Sequence, residues 1–199
     1  GLSGILEGFP AGVPLTEAVI AQDLVRRQMG YGRGGRMKIE TDHAEILTGV
    51  RHGKSLGSPL ALWIQNQDWE NWKLDKMSHT EPLEPVPEIT LPRPGHADLA
   101  GVQKFGFTDI RNVLERSSAR ETAMRVALGA VCRAFLRELG IEIASHVIQI
   151  GPIKAQNTTA GDFSDINANA DASEVRCLDD KASDQMIKHI NDTRRKGDS

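Results

Sequence analysis

The chain opens on an apolar run rich in small residues, Leu2 to Phe9, which predicts a strand, and Pro10 to Pro14 predicts the turn after it. Thr16 has the chemistry of a helix N-cap, and Glu17 puts an acid in the first turn, where the helix dipole favours it. Ala18, Val19, Leu24 and Val25 then supply an apolar stripe as far as Arg27, and Gly30, Gly32, Gly34 and Gly35 end the helix in a loop. Met37 to Glu40 and Ala44 to Val50 read as a strand pair around Thr41-Asp42-His43. Pro59 to Gln65 (PLALWIQ) reads as a well-buried strand. From Gln67 to Pro94 the chain carries Trp69, Trp72 and Pro82, Pro85, Pro87, Pro92 and Pro94, which predicts a long excursion of the kind that serves as a lid or binding loop.

The clearest element begins at Ser118-Ala119-Arg120-Glu121, which has the form of a capping box. Ala123, Val126, Ala127, Ala130 and Val131 recur behind it at helical spacing, and their small size predicts a central, closely packed helix that ends near Leu139 with Gly140 as its stop. Ile141 to Ile150 is expected as a strand, Gly151 to Asp171 as a polar loop, and Ser183 to Arg195 as a short amphipathic helix. Strands mixed with one strong helix do not alternate as a parallel doubly wound sheet requires, so the expected class is α+β with antiparallel sheets.

Composition narrows the function. Hydrophobic residues at 39% and charged residues at 26% of 199 suit a globular protein with a sizeable core. A balance of 24 basic against 27 acidic residues, net −3, argues against general nucleic-acid binding. Cys132 and Cys177 are too few for a disulfide scaffold and lack metal-ligand spacing, and a reducing cytosol is the simplest reading. The chain starts on Gly1 inside a strand-like run and stops at RRKGDS just past a helix-like segment, so a fragment is expected.

Three stretches could carry chemistry. Arg26, Arg27, Arg33 and Arg36 lie on a glycine-rich string, RRQMGYGRGGR; guanidinium forks match phosphate and carboxylate oxygens, so the string is either an anion site or a solvated loop. His96 stands in RPGHADLAG, where Pro94 and Gly95 fix a turn; an imidazole with an ordinary pKa of about 6.5 is either a proton-transfer group or a structural histidine. Arg116, Ser117 and Ser118 combine a cation and two hydroxyls with a helix start, which suits a phosphate or is simply a capped helix. Gly53-Lys54-Ser55 looks like the end of a phosphate-binding P-loop, but the glycine it needs is out of register and Gly57 and Pro59 prevent the following helix, so that reading is rejected. No acidic cluster has metal-ligand spacing.

Taken in order, EGFPAGVPLTEA, DLVRRQMGYGRGGRMKIETD, EILTGVRHGKSLGSPLALWIQNQDW, RPGHADLAG, KFGFTDIRNVLERSSARETAMRVALGA and RRKGDS resemble the chorismate synthase family over nearly the whole chain. The resemblance implies a 1,4-elimination of phosphate from 5-enolpyruvylshikimate-3-phosphate that gives chorismate. It implies reduced FMN as cofactor without net redox change, an association with NADP, a β-α-β sandwich of antiparallel sheets around core helices, and a cytoplasmic homotetramer. It assigns Arg27 and Arg33 to substrate or nucleotide, with Arg36 and Arg120 as additions, His96 to proton donation toward the reduced flavin, and Arg116, Ser117 and Ser118 to FMN contact. The family's Gly-Glu-Ser-His-Gly string is expected just before Gly1 and its C-terminal half beyond Ser199. Residues 1–199 are therefore expected to be one partial domain, inactive alone. A truncated, non-catalytic anion-binding relative is the alternative reading, and a nucleic-acid binder built on the arginines is disfavoured by the net charge.

Overall fold

A computed structural model of the chain describes every residue except 33–40, 70–76, 79, 83, 119, 157, 159–161 and 198–199. Strands β1 (Leu2–Leu6) and β2 (Ala11–Pro14) precede helix α1 (Glu17–Gln28), and β3 (Ala44–Thr48), β4 (Val50–Arg51), β5 (Lys54–Leu56) and β6 (Leu60–Ile64) follow. Helices α2 (Asp98–Phe105), α3 (Arg111–Ser117) and α4 (Glu121–Glu138) come next. The chain then forms a short ribbon, β7 (Gln149–Ile150) with β8 (Ile153–Lys154), and helices α5 (Ile166–Asp171) and α6 (Asp180–Arg195).

The sheets are antiparallel, in the orders β1-β6-β3, β2-β5-β4 and β7-β8, so the class is α+β as expected. PLALWIQ supplies the central strand β6 because Leu60, Leu62 and Ile64 all point to one face and are fully buried. That face is covered by α4 through Ala123, Met124, Ala127, Ala130, Val131 and Ala134, with α1 alongside through Ile20 and Leu24. The small residues allow close approach: a Cβ on Gly4 of β1 would lie 2.6 Å from Met124 Sδ. The stripe expected on α1 is corrected in part. Val25 is exposed, and Ile20, which sits one turn before Leu24, does the burying.

A second cluster, Val175, Cys177, Ala182 and Met186, packs under α6. Tyr31, just past α1, joins it, donating its hydroxyl hydrogen to Asn191 Oδ1 at 2.9 Å.

Other expectations needed revision. Ile141–Ile150 is a strand only at its last two residues. Its alternation is genuine, but side chains satisfy its backbone: Asn167 Nδ2 donates to the Ile143 carbonyl at 2.9 Å, Asn167 Oδ1 accepts from Ser145 N–H, and Arg176 Nη2 donates to the Ser145 carbonyl. The stretch read as loop over 151–171 holds β8 and α5. The capping box does not form: α4 starts at Glu121 with Arg120 at its N-cap and no side-chain cap. Ser118 is extended and its Oγ accepts the Arg120 N–H at 3.3 Å in the turn before the helix, and Glu121 turns to Arg125 at 2.9 Å. The strand expected at Met37–Glu40 lies outside the described residues. Gly53-Lys54-Ser55 leads into β5, where Ser55 Oγ donates to the Pro10 carbonyl and accepts from Val13 N–H, in accord with rejecting a P-loop.

Candidate active site

Helices α1 and α4 lie side by side, and the last turn of α1 meets the residues that open α4. Asp42, two residues before β3, stands between them with a side chain only 1% exposed. Arg27 Nη1 donates to its Oδ2 at 2.9 Å and Arg120 Nη1 to its Oδ1 at 2.9 Å. The second amino group of each fork is held as well: Arg27 Nη2 donates to Thr122 Oγ1 at 3.1 Å, and Arg120 Nη2 to the Gln65 carbonyl at the end of β6 at 2.8 Å. Two guanidiniums thus share one carboxylate at the start of α4. Arg33 and Arg36 lie between Arg27 and Asp42 in sequence and outside the described residues.

Arg26 goes elsewhere, because adjacent helical residues are turned by about 100°. Its Nε donates to Asp171 Oδ2 at 2.8 Å and its Nη1 to Asp23 Oδ1, which Arg133 also reaches. These side chains border a cavity of about 390 Å³ with Arg137, Glu142 and Asn167, apart from the other candidate residues. Burial, then the Arg26 and Arg133 charges, push the nearby Arg176 guanidinium below its ordinary pKa.

Arg116, Ser117 and Ser118 form the join between α3 and α4. Arg116 is exposed, and its guanidinium carbon lies 4.4 Å over the Phe105 ring at the end of α2. Ser117 Oγ donates to the Val113 carbonyl at 2.6 Å, so it offers a ligand its lone pairs. Ser118 accepts from Arg120 N–H and keeps its own hydrogen to donate. An exposed cation and a free hydroxyl hydrogen are donors of the kind that a phosphate-bearing cofactor such as FMN needs, so the residues present fit that group.

His96 precedes α2, with Asp98 as the first residue of that helix. The Asp98 side chain is fully buried. It accepts from Arg93 N–H, Nε and Nη2, each at 2.9 Å, and its Oδ1 lies 3.0 Å from His96 Nδ1. Hydrogen bonds from the Arg93 side chain hold the Asp98 carboxyl well below the usual carboxylate range, against the opposing effect of burial. His96 itself is about one-third exposed. His96 precedes the first turn of α2 and Phe105, beneath Arg116, ends it, a rise of roughly 12 Å along the helix axis, whereas Arg27, Arg120 and Ser118 lie around the start of α4.

The acids were the residues that sequence reasoning missed. In sequence Asp42 stands out only as part of a turn and Asp98 only as a neighbour of His96. Spacing held a signal for the second, since an acid two residues from a histidine across a tight turn is within reach of its ring.

The sequence profile described as Chorismate synthase matches residues 1–199. The chain belongs to the chorismate synthase family. It is 52% identical over 204 residues to "Chorismate synthase 1" of Bacillus thuringiensis (strain Al Hakam), covering 100% of this chain and 52% of that one. It is 52% identical over 205 residues to "Chorismate synthase" of Chlorobaculum tepidum, again covering 100% and 52%. A crystal structure of chorismate synthase matches with a TM-score of 0.75 and 39% identity, covering 99% of this chain and 51% of the other. The chain thus spans about half the length of the chorismate synthases it matches. No helix among the described residues is long and apolar enough to cross a membrane, and none of their His, Cys, Asp and Glu side chains gather in threes as a metal site would require.

Proposed function

We propose that this chain carries part of the site at which a carbon–oxygen lyase eliminates phosphate from 5-enolpyruvylshikimate-3-phosphate to give chorismate, in aromatic amino acid biosynthesis. The observation that supports this reading is the Asp42-bridged pair Arg27 and Arg120, which holds two guanidiniums in a fixed geometry. A substrate bearing one phosphate and two carboxylates is the kind of anion that such forks bind. Arg33 and Arg36 are proposed to join them.

Reduced FMN, when bound, would supply a transient electron that eases C–O cleavage. Arg116 and Ser118 would hold its anionic end, Ser117 would present lone pairs, and His96 would hold and release a proton. The proposal extends to one partial domain over residues 1–199 and to a cytoplasmic homotetramer linked to NADP. Its partner is a small molecule, with neither nucleic acid nor membrane involved.

Isothermal titration of the chain with reduced and oxidised FMN, with and without the enolpyruvyl substrate, tests the reading. Binding of reduced FMN that substrate strengthens, and that Arg27→Ala weakens at least tenfold, is the expected result. FMN and substrate binding that Arg27→Ala, Arg120→Ala and Arg116→Ala all leave unchanged would sink the assignment.

A further inference from the structure

The turn that presents His96 contains more than a histidine. Asp98 is fully buried, and every polar contact it makes is to Arg93 or His96. One contact of the ring is ambiguous at first sight: Arg93 Nη2 lies 2.9 Å from His96 Nδ1 and 3.3 Å from Nε2. The lone pairs of the two ring nitrogens diverge, so an atom close to both lies off the axis of each. The guanidinium therefore sits against the Cε1 edge or the face of the ring and is not an in-plane hydrogen-bond donor to either nitrogen. Asp98 Oδ1 remains as the one partner aimed at a nitrogen, Nδ1, at 3.0 Å.

A carboxylate with three Arg93 donors upon it is ionised and can only accept. Nδ1 must then carry the hydrogen, because a lone pair facing a carboxylate oxygen at that distance would be repelled. With Nδ1 committed, Nε2 is the nitrogen left to exchange a proton, as base when the ring is neutral and as donor when it is charged. The logic is that of a buried acid orienting a catalytic imidazole.

We propose that Asp98 is a positioning residue that locks His96 as its Nδ1–H tautomer and assigns proton exchange to Nε2. The consequence for catalysis rests on the proton-transfer role proposed for His96, whereas the tautomer itself does not.

Two-bond proton–nitrogen correlation spectra of the 15N-labelled chain at neutral pH test it, with His96→Gln to assign the signals. The expected wild-type spectrum has Nδ1 protonated and Nε2 unprotonated. Asp98→Asn should invert the ratio, since the amide can donate to Nδ1 and drive the hydrogen to Nε2. Arg93→Lys, which keeps the cation that holds Asp98 ionised, should leave the Nδ1–H form dominant. A wild-type ring protonated mainly at Nε2, a folded Asp98→Asn chain with an unchanged tautomer, or an inversion caused by Arg93→Lys would each overturn the proposal. Because Asp98 also ties down the Arg93 backbone, an Asp98→Asn chain whose turn unfolds leaves the wild-type and Arg93→Lys spectra to decide. No flavin is needed, so the expected tautomer pattern in a chain that binds no FMN would uphold the positioning role and count only against the reading of the site as flavin-dependent.

Discussion

Replacing Asp42 by alanine removes the carboxylate that bridges Arg27 and Arg120 and leaves two guanidiniums facing each other, with side chains just 16% and 14% exposed. Two estimates of the cost compete. An exposed ion pair contributes roughly 0–1 kcal/mol. Deleting one partner of a buried pair costs about 3–5 kcal/mol, because the charge left behind is uncompensated. Asp42 is 1% exposed, which puts the cluster in the second regime. Each arginine keeps another acceptor, Thr122 Oγ1 or the Gln65 carbonyl, and this moves the estimate to the lower end, about 3 kcal/mol. For a chain of this length that is a fall in Tm of roughly 6–12 °C. Thermal and urea unfolding of wild type, Asp42→Ala, Arg27→Ala and the double variant measure it. The double variant should lose less than the sum of the two single losses, since removing Arg27 relieves the repulsion created at residue 42. A loss under about 1 kcal/mol for Asp42→Ala, or strictly additive losses, would show that the cluster behaves as surface charge and refute the reasoning.

Two further outcomes are expected. Gly101→Ala would ordinarily stabilise the interior of α2 by about 1 kcal/mol, but the new Cβ would lie 2.3 Å from Val113 Cγ1 and 2.8 Å from Cγ2 on α3, and overpacking costs about 1–3 kcal/mol. Net destabilisation, relieved by a second change Val113→Ala, is expected in urea melts, and a more stable single variant would contradict the packing. Asp98 and Asp109 are both held below the usual carboxylate range, chiefly by the side-chain hydrogen bonds of Arg93 and Arg111. A depressed folded-state pKa contributes stability that is complete above the unfolded value near 4 and is lost as pH falls through the folded value. The side-chain carboxyl carbon signals of both residues should therefore stay in their ionised positions as an acid titration passes pH 4, and ordinary midpoints would contradict the ion pairs.

What the sequence made legible follows from how local each signal was. Helix α4 and strand β6 were readable because one repeats small apolar residues at helical spacing and the other is apolar throughout, and each buries what it advertises. Helices α2 and α3 were missed: the first starts two residues after Pro94-Gly95 and contains Gly101, a poor helix former that lies against Val113. The strand expected at 141–150 failed for the opposite reason. Its alternation is local, but a strand needs a partner, and Asn167 and Arg176, more than 20 residues away, supply the hydrogen bonds instead. The same division holds in the site. Arg27, Arg116, Arg120 and His96 belong to recognisable strings, whereas the pairing of Arg27 with Arg120 across 93 residues is made through Asp42, which no local pattern marks.

The buried acids suit the proposed anion site, which must be rigid and still attract negative charge. A guanidinium in water samples many rotamers, and fixing it only when the ligand arrives would cost affinity. A carboxylate partner fixes it beforehand, but one acid per arginine would cancel the charge that attracts the ligand. In this chain a single buried carboxylate serves two groups each time: Asp42 holds Arg27 and Arg120, and Asp98 holds Arg93 and His96. Among the described residues, each acid thus orients more than one basic group. Asp42→Asn should separate the two contributions. The amide keeps the volume and one acceptor but raises the local charge by one, so a gain in anion affinity with a loss of stability would identify charge as the limiting term. A loss of both would mean that orientation is what Asp42 provides.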